Sequence, residues 1–183
     1  MKVDIFNTEK KYDIIYADPP WKYNARNNNT KFGKGASGHY SLMGMSDIEK
    51  LPIPKISADN AALFLWVTFP LLDMQIRLFE KWGFDYKTLG FSWIKTNRVN
   101  RNPFFGVGYY AKSNCEVCLL GVKGKMKPIS NKVSSCIISE RAEHSRKPDE
   151  VRERIVELFG DRPRIELFAR QYVDGWDCWG NEV

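Results

Sequence analysis

Short apolar runs that alternate with segments of helical spacing constrain the fold of this chain most strongly. Runs rich in β-branched and aromatic residues predict strands at residues 12–17, 61–68, 86–95, 115–124, 134–139 and 164–170. Between them, helices are predicted from a capping box at Ser46 to Glu49, from Pro70 to Gly83, and from Lys147 to Gly160. This alternation predicts an α/β fold with a mostly parallel, doubly wound sheet.

The first predicted strand ends in an unusual corner, "IIYADPPWKY". Asp18 follows the strand directly, and ligands of such sheets bind beyond the carboxyl ends of the strands. Pro19 and Pro20 fix the direction of the backbone carbonyls, while Trp21 adds a flat ring. The corner is therefore predicted to accept hydrogen bonds from the exocyclic amine of a flat base. The alternative is a proline-rich turn with a core tryptophan.

Basic charge is concentrated in two stretches. Residues 22–45 contain four Lys or Arg and no acid, and residues 95–127 contain seven Lys or Arg against the single acid Glu116. The second stretch is interleaved with aromatic residues, namely Phe104, Phe105, Tyr109 and Tyr110. Basic loops with aromatic rings favour a nucleic-acid partner with unstacked bases. A solvated basic surface that only maintains solubility is the alternative.

Length and composition limit the remaining possibilities. The 183 residues, 43% of them hydrophobic, fit a single domain over residues 1–183 without a separate recognition domain. The chain has no apolar run near the length of a membrane span and no signal-like leader, so a cytoplasmic protein without membrane contact is expected. Cys115 and Cys118 form a CxxC with no second pair nearby. Buried reduced thiols and no metal are expected, with a zinc site involving Cys136 and His144 as the alternative.

Seven sequence blocks in order resemble one enzyme family. The blocks are "DPPW", "HYSLMGMSDIEKLPIP", "LFLWVT", "WIKTN", "EVCLLGVKG", "EHSRKPDE" and "RIELFARQ...GWDCWGNE". They resemble the DPPW-type N6-adenine methyltransferases, the family of the catalytic subunit of the messenger RNA adenosine methyltransferase and its bacterial and phage relatives. The resemblance covers nearly the whole chain. It implies a Rossmann-like sheet of permuted class I topology, with the catalytic strand first and the cofactor strand last.

The resemblance also implies a cofactor, S-adenosyl-L-methionine, with S-adenosyl-L-homocysteine as the product. Asp18, Pro19, Pro20 and Trp21 would be catalytic, with Asp18 also meeting the amino group of the cofactor. Lys147 would pair with the cofactor carboxylate, Arg170 would reach the ribose region, and Asn181 with Glu182 would bind the ribose hydroxyls. The adenine ring of the cofactor would contact the residues Asp4, Ile5, Leu167 and Phe168. The alternatives are a helix-start surface charge for Lys147, a surface residue for Asp4 and a chain-end polar residue for Asn181.

Substrate-binding residues are expected in loops and at strand ends. Tyr23 and Tyr40 belong to residues 22–40, which are expected to form one gate of the substrate site. The resemblance places Glu116 near the target base, with an ordinary strand-end charge as the alternative. Lys95 and Asn97 close the "WIKTN" block at a strand end. The substrate is expected to be adenine in nucleic acid, with DNA favoured over RNA, and a homodimer is left open. A catalytically silent nucleic-acid-binding partner subunit and a methyltransferase for small nucleosides or proteins are the alternatives. The presence of Asp18, Trp21 and Lys147 favours an enzyme.

Overall fold

The computed structural model describes residues 1–22, 42–106, 110–141 and 146–183. Within these ranges, seven strands form one sheet in the order β5-β3-β4-β2-β1-β6-β7. The strands are β1 (Tyr12–Ala17), β2 (Ser57–Val67), β3 (Asp85–Thr96), β4 (Cys115–Lys123), β5 (Cys136–Glu140), β6 (Arg164–Leu167) and β7 (Asp177–Trp179).

Most neighbouring strands run parallel, as the alternation predicts. β1 is parallel to β2 and β6, β6 to β7, and β3 to β5, whereas β4 is antiparallel to both β2 and β3. The α/β, Rossmann-like prediction is therefore confirmed. The first strand, β1, lies directly beside β6, as expected for the permuted order.

Helices cover both faces of the sheet. They are α1 (Met45–Glu49), α2 (Ile53–Ile56), α3 (Leu72–Lys81) and α4 (Glu150–Phe159), with a 3-10 turn at Phe69–Leu71 before α3. One core lies between α3 and the face of β1 that carries Ile15 and Ala17. The other lies under α4, against the face that carries Ile14 and Tyr16. Alternate residues of β1 thus enter opposite cores, because side chains of a strand alternate between faces.

The structure corrects the sequence predictions at several element ends. Helix α1 begins at Met45 rather than after Ser46, and its N-cap is Gly44 with no side-chain cap hydrogen bond, so the predicted capping box does not form. The strand predicted at residues 164–170 ends at Leu167, because Phe168 adopts a φ of 61° and leaves the extended conformation. The short elements α2 and β7 were not predicted.

Pairings at both flanks tie further segments to the sheet. Lys2 forms an isolated parallel bridge with Cys178, so the first residues run beside β7 in the same direction. In the connection between β3 and β4, Thr96 pairs with Pro103 and Gly106 with Ser113. In the described part of the chain, no helix is long and apolar enough to cross a membrane.

Candidate active site

Chemically active side chains gather at one edge of the sheet. The carboxyl ends of the parallel strands β1, β2, β3 and β6 meet there, and the antiparallel β4 begins there. Asp18 follows β1, Lys95 lies at the end of β3, and Glu116 is the second residue of β4. Because β4 runs against its neighbours, an acid at its start reaches the same edge as residues that end other strands.

The corner after β1 is held by backbone hydrogen bonds. The carbonyl of Pro19 accepts the N–H of Trp21 at 2.9 Å, and the carbonyl of Pro20 accepts the N–H of Met43 at 2.8 Å. Each carbonyl oxygen has two lone pairs and therefore keeps one for another donor. The indole Nε1 of Trp21 donates to the carbonyl of Trp66 at 3.0 Å, and only 8% of Trp21 is exposed. Its ring thus packs mainly in the core, and stacking on a base stays a prediction.

Four charged groups form an alternating chain. The Nζ of Lys147 lies 2.7 Å from Oδ2 of Asp18 and 3.2 Å from Oε2 of Glu116. Lys95 donates a hydrogen bond to Oε1 of the same glutamate. The side chain of Lys147 is 10% exposed, and its ammonium lies 5.1 Å from the ring centroid of Trp66. The structure thus brings together Asp18, Lys147, Glu116 and Lys95, which lie far apart in the sequence.

The partners in this chain keep each other ionised. Burial alone would lower the pKa of Lys147, but the charges of Asp18 and Glu116 and hydrogen bonds to them raise that pKa to about 12. Burial alone would raise the pKa of Glu116, but the charges of Lys147 and Lys95 and their hydrogen bonds lower it below its ordinary value. Lys147 and Glu116 therefore both carry charge at neutral pH.

A polar layer lies beneath the charged chain. The hydroxyl of Tyr16 accepts a hydrogen bond from the indole of Trp66 at 2.8 Å. Burial raises the pKa of Tyr16 well above its ordinary value, with Cys118 and Glu166 adding to the effect, so this hydroxyl stays neutral. Next to Tyr16, Arg152 of α4 forms two hydrogen bonds with Glu166 of β6. A pocket at this point is lined by Tyr16, Asp18, Arg146, Lys147, Arg152, Glu166, Phe168, Arg170 and Gln171.

Residues predicted to hold the far end of the cofactor lie at the carboxyl ends of β6 and β7. The Nε of Arg170 lies 3.6 Å from Oε1 of Glu182, and the rings of Phe168 and Trp179 meet edge to face at 5.3 Å. Leu167 is fully buried, and Asn181 is exposed near the chain end.

The predicted pair Asp4 and Ile5 lies at the same edge, because the first residues run parallel to β7. Ile5 is fully buried. Both carboxylate oxygens of Asp4 accept hydrogen bonds within their own turn, from the N–H of Phe6 and from the side chain of Asn7. Asp4 thus stabilises this turn, and a contact with a cofactor adenine stays a prediction.

The predicted substrate residue Asn97 makes its side-chain hydrogen bonds away from the charged chain. The side-chain amide of Asn97 donates to the carbonyls of Asn102 and Pro103, so it stabilises its own loop. Tyr23 and Tyr40 lie outside the described residues, as does His144.

The cysteines differ from the expectation in one respect. All four thiols are free, and Cys118 and Cys178 are buried, but Cys115 and Cys136 are exposed rather than buried. Among the described residues, no group of three His, Cys, Asp or Glu side chains could hold a metal ion.

Comparison with known proteins identifies the family. The model of the MT-A70 family matches residues 12–182, nearly the whole chain. The chain belongs to the MT-A70 family. This is the methyltransferase family that the seven sequence blocks indicate, and its match begins at the first residue of β1.

The chain is also similar to individual methyltransferases of different lengths. The type II methyltransferase M.MunI of Mycoplasma sp is 36% identical over 190 residues, covering 95% of this chain and 78% of that protein. The N(6)-adenosine-methyltransferase MT-A70-like of Arabidopsis thaliana is 29% identical over all of this chain and 25% of its own length. The N(6)-adenosine-methyltransferase catalytic subunit METTL3 of Homo sapiens is 28% identical over 94% of this chain and 28% of its own length.

Several residues of this MT-A70 site were missed by sequence reasoning. Tyr16 could have been found, because it precedes Asp18 by two residues and therefore lies on the same face of β1. Trp66 lies inside the apolar run of residues 61–67 and is indistinguishable by sequence from an ordinary core residue. Arg152 and Glu166 each occupy a position that a charged surface residue could equally fill, so only the packing of α4 on β6 brings them together.

Proposed function

We propose that this chain transfers a methyl group from S-adenosylmethionine to the N6 amine of adenine in nucleic acid, with DNA favoured. The observation that carries the proposal is the contact of 2.7 Å between Asp18 and Lys147 at the carboxyl edge of the sheet of an MT-A70 chain. This carboxylate and this ammonium line the same pocket.

The residues present fit the amino-acid end of the proposed cofactor. That end is a zwitterion, so its site needs an acid for the ammonium and a base for the carboxylate, placed side by side. Asp18 and Lys147 supply this pair, and Arg170 lines the same pocket. When bound, S-adenosylmethionine supplies an electrophilic methyl group on a sulfonium sulfur. Asn181 and Glu182, which follow β7, are proposed to hold its ribose, with Phe168 beside the adenine.

The amine of adenine is a poor nucleophile because its lone pair is shared with the ring. We propose that Asp18 and the free lone pair of the Pro19 carbonyl each accept one N–H of this amine. These hydrogen bonds favour a more tetrahedral nitrogen and direct its lone pair at the methyl group. Positioning and preorganised electrostatics then account for most of the rate enhancement.

Glu116 and Lys95 are proposed to face the substrate nucleotide. Lys95 extends the charged chain away from Asp18, and its ammonium lies 5.0 Å from the ring centroid of Trp93. A base can enter such a site only outside a helical stack, so single-stranded substrate or a flipped nucleotide is expected. Trp21, Tyr23, Tyr40 and Asn97 remain proposed contacts of the target base or its neighbours.

The similarity to a type II methyltransferase over 78% of that protein supports DNA as the polymer. RNA is the second candidate, because N(6)-adenosine methyltransferases of plants and animals match over 94% or more of this chain. A silent binding subunit is disfavoured, since Asp18 and Lys147 are both present and in contact. A cytoplasmic enzyme is proposed, and a homodimer stays a prediction.

The proposal is tested by incubating the chain with methyl-labelled S-adenosylmethionine and a nucleic acid, followed by nucleoside mass spectrometry. Random-sequence single-stranded DNA, duplex DNA and RNA of equal length are compared. We expect N6-methyl-deoxyadenosine, with more label on single-stranded DNA than on RNA. Label on cytosine, or no label on any polymer, would overturn the proposed reaction. Label on RNA alone would keep the reaction and reverse the choice of polymer.

A further inference from the structure

A buried ion pair lies beneath the proposed active site and takes no direct part in the chemistry described above. The Nε and Nη2 of Arg152 each donate to a carboxylate oxygen of Glu166, both at 2.7 Å. The two residues are 7% and 8% exposed. Burial alone would lower the pKa of Arg152, but the hydrogen bonds and charge of Glu166 raise it above its ordinary value. The pair joins α4 to β6, and its arginine stays charged.

The guanidinium has a third partner that leads back to the active site. Its Nη1 donates to Oδ1 of Asp149 at 2.8 Å. Asp149 is the N-cap of α4, yet its side chain makes no cap hydrogen bond. Instead its carboxylate also accepts hydrogen bonds from Gln171, at 3.1 Å, and from Arg146. Three donors thus fix a residue that lies two positions after Lys147.

A second contact runs from the pair to Lys147 through aromatic rings. The guanidinium of Arg152 lies 5.8 Å from the ring centroid of Tyr16. The Tyr16 hydroxyl accepts the indole N–H of Trp66, and the ring of Trp66 lies 5.1 Å from the ammonium of Lys147. Arg152 therefore contacts Asp149, which lies in the segment that carries Lys147, and Tyr16, which binds the indole beside the Lys147 ammonium.

Stability alone does not explain this arrangement. A buried ion pair loses solvation, and well-packed apolar residues of similar volume are often as stabilising or more so. The planar fork of arginine, however, holds Glu166 with two donors and leaves a third for Asp149, which lysine cannot match. We propose that Arg152 and Glu166 are positioning residues, which act through Asp149 to hold segment 146–149 so that Lys147 reaches both Asp18 and Glu116. The catalytic consequence rests on the proposed function.

The test compares Arg152→Lys and Asp149→Asn with a matched control. Arg154→Lys is the control, because Arg154 lies on the same helix and also makes an ion pair, with Glu150, and two bonds to backbone carbonyls. For Arg152→Lys and Asp149→Asn we expect the dissociation constant of S-adenosylhomocysteine, measured by calorimetry, to rise about tenfold or more, because small misplacements in a site are costly. The control should bind as the wild type does. Since 57% of the Asp149 side chain is exposed, Asp149→Asn should leave the thermal midpoint nearly unchanged.

A readout independent of ligand separates this inference from the proposed function. Amine acetylation followed by mass spectrometry measures how readily Lys147 is modified, and its burial predicts slow modification in the wild type. Faster modification in Asp149→Asn and Arg152→Lys, but not in Arg154→Lys, would support the positioning role even if the wild type transferred no methyl group. The positioning role would be overturned if both variants kept the wild-type modification rate and ligand affinity and Arg152→Lys only lowered the thermal midpoint. Arg152 and Glu166 would then serve stability alone.

Discussion

Lys147 joins the two proposed halves of the site, because one ammonium contacts both Asp18 and Glu116. Removing either acid leaves the lysine with a partner. We therefore expect Lys147 to keep its position when one of the two acids is replaced, while the proposed function of that acid is lost. This makes conservative replacements of the acids informative about function.

Replacing Asp18 with asparagine tests its proposed role as acceptor for the adenine amine. The amide keeps the shape but offers one acceptor oxygen and no charge, so we expect methyl transfer to fall by roughly 100-fold or more. Lys147 still contacts Glu116, so the circular dichroism spectrum should match that of the wild type. Asp85→Asn is the control, since that carboxylate is 82% exposed and forms an ion pair with the exposed Lys87. Wild-type rates in Asp18→Asn would contradict the role, and an unfolded variant would show that the acid is structural.

The charged chain should give a defined pH dependence of stability. The folded-state pKa of Glu116 lies below its ordinary value of 4.5, so its ion pairs contribute fully above about pH 5 and are lost as the pH falls through the lowered pKa. The pKa of Lys147 is raised from 10.5 to about 12, so its contribution is complete below about pH 10 and is lost as the pH rises towards 12.

We therefore expect the difference in thermal midpoint between the wild type and Glu116→Gln to stay constant from about pH 5 to about pH 10 and to shrink in more acidic buffer. Scanning fluorimetry over a pH series measures it. A difference that changes steeply around neutral pH would mean that another group titrates with the cluster.

At the residue scale, the sequence could indicate groups but not their mutual contacts. Asp18 stood out because it follows a buried strand, and Lys147 because it matches a family block. Glu116 looked like an ordinary strand-end charge. Its contact with two lysines depends on β4 running against β2 and β3, which no local pattern reveals.

At the scale of elements, the close packing of α3 on β4 depends on Gly121. A Cβ atom there would lie 2.7 Å from Cε1 of the buried Phe79, and closer still to Cδ1. We expect Gly121→Ala to lower the free energy of unfolding by about 1–3 kcal/mol, since overpacking forces neighbours to move. Urea denaturation measures the change. Phe79→Leu in the same chain should recover part of it, because residues in contact are not additive. An unchanged midpoint in Gly121→Ala would contradict this packing.

The predictability of the elements follows their length and burial. The bounds predicted for β1 agree with the structure, because a short run with a buried face and a clear end leaves few alternatives. The helix predicted from Pro70 also forms, as a 3-10 turn followed by α3. Strand β7 has three residues, too few for a periodic pattern, and pairs with β6 only through tertiary contacts. Helix α2 has only four residues and carries Pro54 in its first turn. In the sequence, this proline indicates the end of a helix rather than the start of one.

At the scale of the whole molecule, the net charge is +6, and we expect nucleic-acid binding to depend on where the basic residues lie rather than on this total. Arg98 and Lys112 are exposed in the connection from β3 to β4, at the edge that carries the charged chain. Lys127 and Lys132 are also exposed, but they lie between the end of β4 and the start of β5, at the opposite edge. Replacing either pair with glutamine removes two positive charges, so the two double variants differ only in where the charge is lost.

We expect Arg98→Gln with Lys112→Gln to weaken binding of a single-stranded oligonucleotide and to reduce the slope of log K against log salt by about 0.7 per lost phosphate contact. Lys127→Gln with Lys132→Gln should leave both quantities nearly unchanged. Fluorescence anisotropy over a salt series measures both pairs. Equal losses in the two double variants would indicate attraction by net charge alone, without a defined path for the strand.

The reversed direction of β4 has a consequence for how this protein could diversify. Because β3 and β4 are adjacent and antiparallel, the segment between Thr96 and Cys115 returns to the neighbouring strand and does not have to cross the sheet. Insertions or deletions there cost little closure entropy while both anchoring strands stay in place. Exchanging that segment between homologues would therefore change the surface beside the charged chain without disturbing the strands that carry Lys95 and Glu116.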